Sequence, residues 1–303
     1  IGSLGSSLAQ IFIAFLQKIR TLLNEYSAVS IGEVGADDAL ACMAEYTADG
    51  DKLHMAYSFN LLTPQFTAAH IRTQVEEFEA RVKGGWASWS VGNHDAIRVM
   101  TRWGGENAPS SFASLILAMQ LSLKGTPCLY QGDELALPEA DVPFELLQDP
   151  YGITFWPEFK GRDGCRTPMP WTNAAPNAGF TEGKPWLPVA VPHLAASVSQ
   201  QELDPASSLN AARRIIHWRQ SLPQLTRGDI SFFDAPEPVL ALRRTLDGEA
   251  TVLAAFNLSN APVTIDWPET AGAQVLAGHG LPGEAANGRV TLPAYGAWFG
   301  TSA

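Results

Sequence analysis

Apolar residues at Phe12, Phe15, Leu16, Ile19, Leu22 and Leu23 recur at helical spacing and predict a helix over residues 8–26. The run that follows, Val29 to Val34, is short and largely apolar and predicts a buried strand over 29–34. The alternation continues with helix 37–48, strand 53–59, helix 67–83, strand 86–92, helix 109–123 and strand 126–130, and helix 207–221 follows a long connection. Strands and helices in this order predict a parallel sheet with helices packed outside it. The connection from Gly132 to about Pro205 far exceeds the usual ~2–6 residues, so a functional loop or a subdomain is expected there. It carries Trp156, Trp171 and Trp186. From Gly228 the pattern changes to short alternating runs: Val239 to Arg243, Thr251 to Asn257, Val263 to Trp267 and Arg289 to Leu292. Turn pairs such as Asp247-Gly248 and Asn287-Gly288 separate them, which predicts a small antiparallel β domain. The expected division is therefore 1–227 and 228–303, with a flexible lead-in at Gly2 to Ser7.

Composition narrows the partners. The chain has 303 residues, enough for a large core, and 46% hydrophobic with 17% charged residues, as in globular proteins. A net charge of −11 argues against nucleic acid or an anionic membrane as partner and is compatible with neutral sugars. The nine Trp and 14 Phe suit stacking on pyranose rings, or simply core packing. Cys42, Cys128 and Cys165 show neither a disulfide framework nor zinc spacing, and Cys128 reads as a core thiol. Ile1 to Phe15 lacks a basic leader and a cleavage site, and no run of 18 apolar residues occurs. A cytoplasmic address is the default expectation.

The candidate chemistry sits at two strand ends. Asn93-His94-Asp95 closes the strand over 86–92 and places an imidazole and a carboxylate at a strand mouth. In a parallel α/β barrel that mouth is where substrates bind. The same residues also suit a polar turn with Asp95 as a helix N-cap. Glu33 lies near the end of the strand over 29–34, where a carboxylate is costly unless solvated, paired or used. Two carboxylates at two strand ends of one barrel suggest acid/base work on a sugar.

The ordered set IGEVG (31–35), AYSFN (56–60), SVGNHD (90–95), GTPCLYQGDEL (125–135) and GRDGCRTPMPW (161–171) makes the chain resemble the α-amylase superfamily of retaining glycoside hydrolases, glycoside hydrolase family 13. Within it the likeness is to bacterial α-glucosidases and oligo-1,6-glucosidases. The resemblance implies that Glu33 is the acid/base, its proton held near neutrality by a water-poor strand mouth. It implies that Asp95 is the carboxylate favouring the distorted, oxocarbenium-like ring, with His94 donating to a hydroxyl of the same glucose. Arg162 would recognise the non-reducing-end glucose, Phe59 would line the leaving-sugar site, and Gly35 would let backbone approach the sugar or simply end the strand. Glu134 receives no catalytic role.

The same resemblance exposes a deficit. The four barrel strands correspond to the fifth through eighth of the family, giving a partial (β/α)8 barrel. The family's nucleophile is an Asp in a Gly-Phe-Arg-x-Asp-type motif, yet no Asp precedes Asp37. Arg162 is therefore expected without its usual carboxylate, unpaired or facing solvent. Expected substrates are α-glucosides or malto-oligosaccharides. Oligo-1,6-glucosidase, α-amylase or sucrose-acting activities are alternatives, as is a non-catalytic half-barrel. Self-association or an N-terminal half is the expected partner; no cofactor or metal is expected.

Overall fold

The computed structural model describes residues 2–105 and 107–302, with side chains from residue 11 onward. Helix α1 (Gly2–Glu25) leads into strand β1 (Ile31–Val34), helix α2 (Ala39–Thr47), strand β2 (Met55–Ser58), helix α3 (Ala68–Arg81) and strand β3 (Ser88–Ser90). Helices α4 (Val99–Gly104) and α5 (Ser110–Ser122) precede strand β4 (Thr126–Cys128). β1 pairs parallel with β2, β3 pairs parallel with β4, and a parallel bridge from Ala56 to Ala87 joins the two pairs. The result is four parallel strands in sequence order with their helices in the crossovers.

Local chemistry explains the helices that back this sheet. The Thr67 side chain caps α3 by accepting the His70 N–H, and Ile71, Val75 and Phe78 form its buried face at i, i+4, i+7 spacing. α5 is apolar almost all round, with Phe112, Leu115, Ile116 and Met119 buried. That suits a helix covered on both sides, because α9 (Ser208–Gln220) packs along it. α4 was not expected from the pattern; its six residues are too few to show a period.

The long connection is built of short pieces, α6 (Pro150–Thr154), α7 (Val191–Leu194) and α8 (Val198–Glu202), ahead of α9 and α10 (Pro223–Arg227). After α10 only strands and one short 3-10 turn follow: β5 (Asp229–Phe233), β6 (Val239–Thr245), β7 (Thr251–Asn257), β8 (Val263–Asp266), β9 (Gln274–Val275), β10 (Glu284–Ala286), β11 (Arg289–Leu292) and β12 (Ala297–Ser302). They form a sheet of order β5-β6-β7-β12-β9 and a smaller one of order β10-β11-β8, with every pairing antiparallel. Arg244 of β6 is fully buried and donates to the carbonyls of Ser122, Leu123, Leu225 and Gly228. One guanidinium thus satisfies the ends of α5 and α10 and fixes this sheet to the helical layer. One core, holding Phe112 and Met119 as well as Leu240, Phe256 and Phe299, runs through both.

Two expectations are corrected here. Residues Gly2 to Ser7 continue helix α1 rather than forming a flexible lead-in. The strand over 29–34 is buried only at Val34: Val29 is 64% and Ile31 50% exposed, and Phe12, Phe15 and Leu22 of α1 are exposed as well. The physical reason is that β1 is a sheet edge, paired only with β2 among the described residues. Such an edge with an apolar flank invites another chain.

Candidate active site

Parallel register sets the first part of the site. Glu33 of β1 lies opposite Tyr57 of β2, so their side chains share a sheet face, and the Tyr57 hydroxyl donates to Glu33 Oε2. Burial, reinforced by the Glu33 carboxylate, pushes the phenol well above its ordinary range, so it stays a protonated donor. The side-chain amide of buried Asn93 faces the same hydroxyl. Asn93 Oδ1 in turn accepts the Asp95 N–H at 2.9 Å. No hydrogen bond closes the step between Tyr57 and Asn93, whose Nδ2 is buried without a partner among the described residues. Glu33 itself is exposed, which corrects the expected water-poor mouth; the sheet edge leaves its outer side open.

The second part is the turn after β3. Ser90 Oγ donates to the Gly92 carbonyl at 2.6 Å, bending the chain out of the strand. Asp95 does not cap a helix, since the residue at the α4 N-cap position is Arg98. Asp95 Oδ1 instead accepts from Arg166 at 2.7 Å and from Arg162 at 3.1 Å. Arg166 Nε also donates to the His94 carbonyl at 2.7 Å. His94 projects into solvent with its Nε2 3.6 Å from Asp95 Oδ1.

Arg162 is far from unpaired, which overturns that expectation. Its Nε and Nη2 each donate to Asp149 at 2.9 Å, its backbone N–H adds a third bond at 2.8 Å, and its guanidinium lies 5.4 Å from the centre of the Tyr151 ring. Asp149 is fully buried, and the Arg162 hydrogen bonds hold its carboxyl far below the usual carboxylate range. A half-buried guanidinium needs a counter-charge, and the long connection supplies one from thirteen residues upstream. Asp163 Oδ2 completes the clamp by accepting the N–H groups of Gln148 and Asp149 at 2.6 and 2.8 Å.

Beneath the turn lies Asp133, whose carboxylate oxygens are sealed from solvent and without hydrogen-bond partners among the described residues. Burial pushes its carboxyl up to about 7. A Cβ built on Gly92 would fall 2.7 Å from Asp133 Oδ2, so only glycine fits at the root of the Asn93-His94-Asp95 turn. Glu134 accepts the Gly132 N–H at 2.8 Å.

Gly35 and Phe59 fall elsewhere. They line a cavity of about 370 Å³ with Val34, Asn60, His70 and Gln74, at the ends of β1 and β2. A Cβ on Gly35 would meet nothing within 4 Å, so the protein itself does not require glycine there. Among the described residues no group of three or more His, Cys, Asp or Glu is placed to hold a metal ion. Cys128 is half-buried, its thiol pushed up by burial. No described helix is long and apolar enough to cross a membrane.

Three residues of this arrangement escaped the sequence reading. Tyr57 had a signal, since it alternates with Phe59 on a strand beside that of Glu33. Arg166 follows Arg162 by four residues in the same motif. Asp149 had none.

The sequence profile of the α-amylase catalytic domain matches residues 11–228, so the chain belongs to that family, glycoside hydrolase family 13. It is 41% identical over 291 residues to a "Probable alpha-glucosidase" of Rhizobium meliloti (strain 1021), covering 95% of this chain and 52% of the relative. It is 29% identical over 294 residues to an oligo-1,6-glucosidase of Heyndrickxia coagulans, covering 84% of this chain and 52% of that protein. It superposes on the crystal structure of the α-glucosyl transfer enzyme XgtA with a TM-score of 0.91 and 49% identity, covering 96% of this chain and 54% of the other. The chain spans about half the length of the curated relatives it matches.

Proposed function

We propose that this chain carries the acid/base and sugar-recognition half of a retaining α-glucosidase, and that a nucleophilic carboxylate comes to it from an N-terminal half-barrel. The observation that carries this is the pair of carboxylates after two parallel strands, Glu33 bonded by Tyr57 and Asp95 held by two arginines. In this reading residues 1–227 supply the barrel half and 228–303 an appended β domain. Glu33 protonates the glycosidic oxygen as the leaving sugar departs, then takes a proton from the water that hydrolyses the glycosyl-enzyme. Asp95 accepts from glucose hydroxyls and favours the distorted ring. Two fixed guanidinium donors keep it aimed. His94, exposed at the rim, donates to the same sugar. Phe59 lines the leaving-sugar position, beside Gly35.

The open β1 edge with exposed Val29 and Ile31, together with exposed Phe12, Phe15 and Leu22 on α1, supports docking of a further half-barrel, or of a second copy. The substrate class is an α-glucoside or malto-oligosaccharide, on the strength of relatives named for glucosidase and glucosyl-transfer activity.

The test is Asp95→Asn in the chain assembled with a nucleophile-bearing half. Release of nitrophenol from p-nitrophenyl α-glucoside falls at least about 100-fold, on the scale of a lost transition-state electrostatic contact, while the far-UV circular dichroism is retained. Full activity with an intact fold would remove Asp95 from the site. An unfolded variant would make its role structural.

A further inference from the structure

Glu33 has to hold a proton in one half of a retaining cycle and lose it in the other. Its surroundings therefore matter as much as its position. The only hydrogen bond it receives among the described side chains comes from Tyr57. That bond goes to Oε2. The phenol is carried by the adjacent strand in direct register. We propose that Tyr57 is a positioning residue for Glu33. Its hydroxyl holds Oε2 and leaves Oε1 to carry the working proton. This rests on the reading of Glu33 as acid/base.

The electrostatic consequence has a definite sign. A hydrogen-bond donor to a carboxylate favours its ionised form. The phenol is the right donor for this, because it stays protonated across the working range. The other titratable group facing the pair is the Cys128 thiol of β4, which burial keeps neutral, with Asp133 beyond it. Among the described residues no other side chain is hydrogen-bonded to Glu33.

The experiment is Tyr57→Phe, read in two ways. In the assembled enzyme the basic limb of the kcat/KM–pH profile moves upward by about 1 pH unit, the scale of a lost hydrogen bond to a charged group. In this chain alone, the Glu33 side-chain carboxyl, followed by carbon NMR, titrates higher by a similar amount. A second variant, fluorotyrosine incorporated at position 57, has a more acidic hydroxyl and moves both readouts the other way. Coincident profiles and titrations for the wild type and both variants would overturn the proposal. Glu33→Gln run in parallel separates this from the parent reading. If that variant keeps its activity, Glu33 is not the acid/base, whatever the titration of Glu33 shows about Tyr57.

Discussion

Glu33→Gln lowers turnover of an α-glucoside by ~100–10,000-fold in the assembled enzyme, the range that a positioned acid/base supplies. The amide can still accept the Tyr57 hydroxyl, so the exposed side chain stays in place and the fold is undisturbed. What is lost is the proton given to the leaving oxygen and the proton later taken from water. The size of the loss depends on the leaving group. Nitrophenol departs with little help, whereas a sugar alcohol needs the proton. Maltose therefore suffers the larger loss and p-nitrophenyl α-glucoside the smaller. Steady-state rates on the two substrates check both parts. Retention of more than a tenth of the activity on maltose would contradict the assignment.

Asp149→Ala produces the largest stability loss of any single change in the site. Removing one member of a buried ion pair costs about 3–5 kcal/mol. Here the lower end applies, because Arg162 is 28% exposed and keeps Asp95. The backbone N–H groups of Tyr151 and Arg162 lose their acceptor as well. The pH dependence follows from the depressed carboxyl. A folded-state pKa below the unfolded one contributes stability that is present above the unfolded value, near 4, and is lost as pH falls through the folded one. Urea unfolding at pH 7 separates wild type from variant, and the gap narrows in acid. An unchanged urea midpoint at pH 7 would show that the clamp does not hold the long connection. Activity falls too, since Arg162 then loses the group that aims it at Asp95.

Much of this was legible in local pattern. The alternation of helix and strand periods gave the order of the parallel elements, because each crossover helix hides one apolar face. Asn287-Gly288 predicted a tight hairpin, and both residues adopt positive φ between β10 and β11, the backbone that a two-residue turn of this kind needs. Strand lengths were less legible: β3 and β4 have only three residues each, because the flanking apolar residues belong to the core without forming ladder pairs. Glu33, His94, Asp95 and Arg162 were singled out by short motifs, and the last three lie together. The setting of Glu33 was misjudged, because exposure at a sheet edge depends on which strands stand beside it. The pairing of Arg162 was missed for a similar reason. Asp149 reaches it only through the path of the long connection, which no periodicity describes.

We propose that the acid/base and the sugar-holding carboxylate reside in this chain and that the nucleophile comes from another. The direct measurement is hydrolysis of p-nitrophenyl α-glucoside by the purified chain alone, and again after co-expression with an N-terminal half-barrel of a family relative. Light scattering on the same samples reports assembly. The chain alone is expected to self-associate and release negligible nitrophenol, and to form an active one-to-one complex when the other half is present. A stable monomer that turns over the substrate at an ordinary enzymatic rate, ~10 per second, would contradict it.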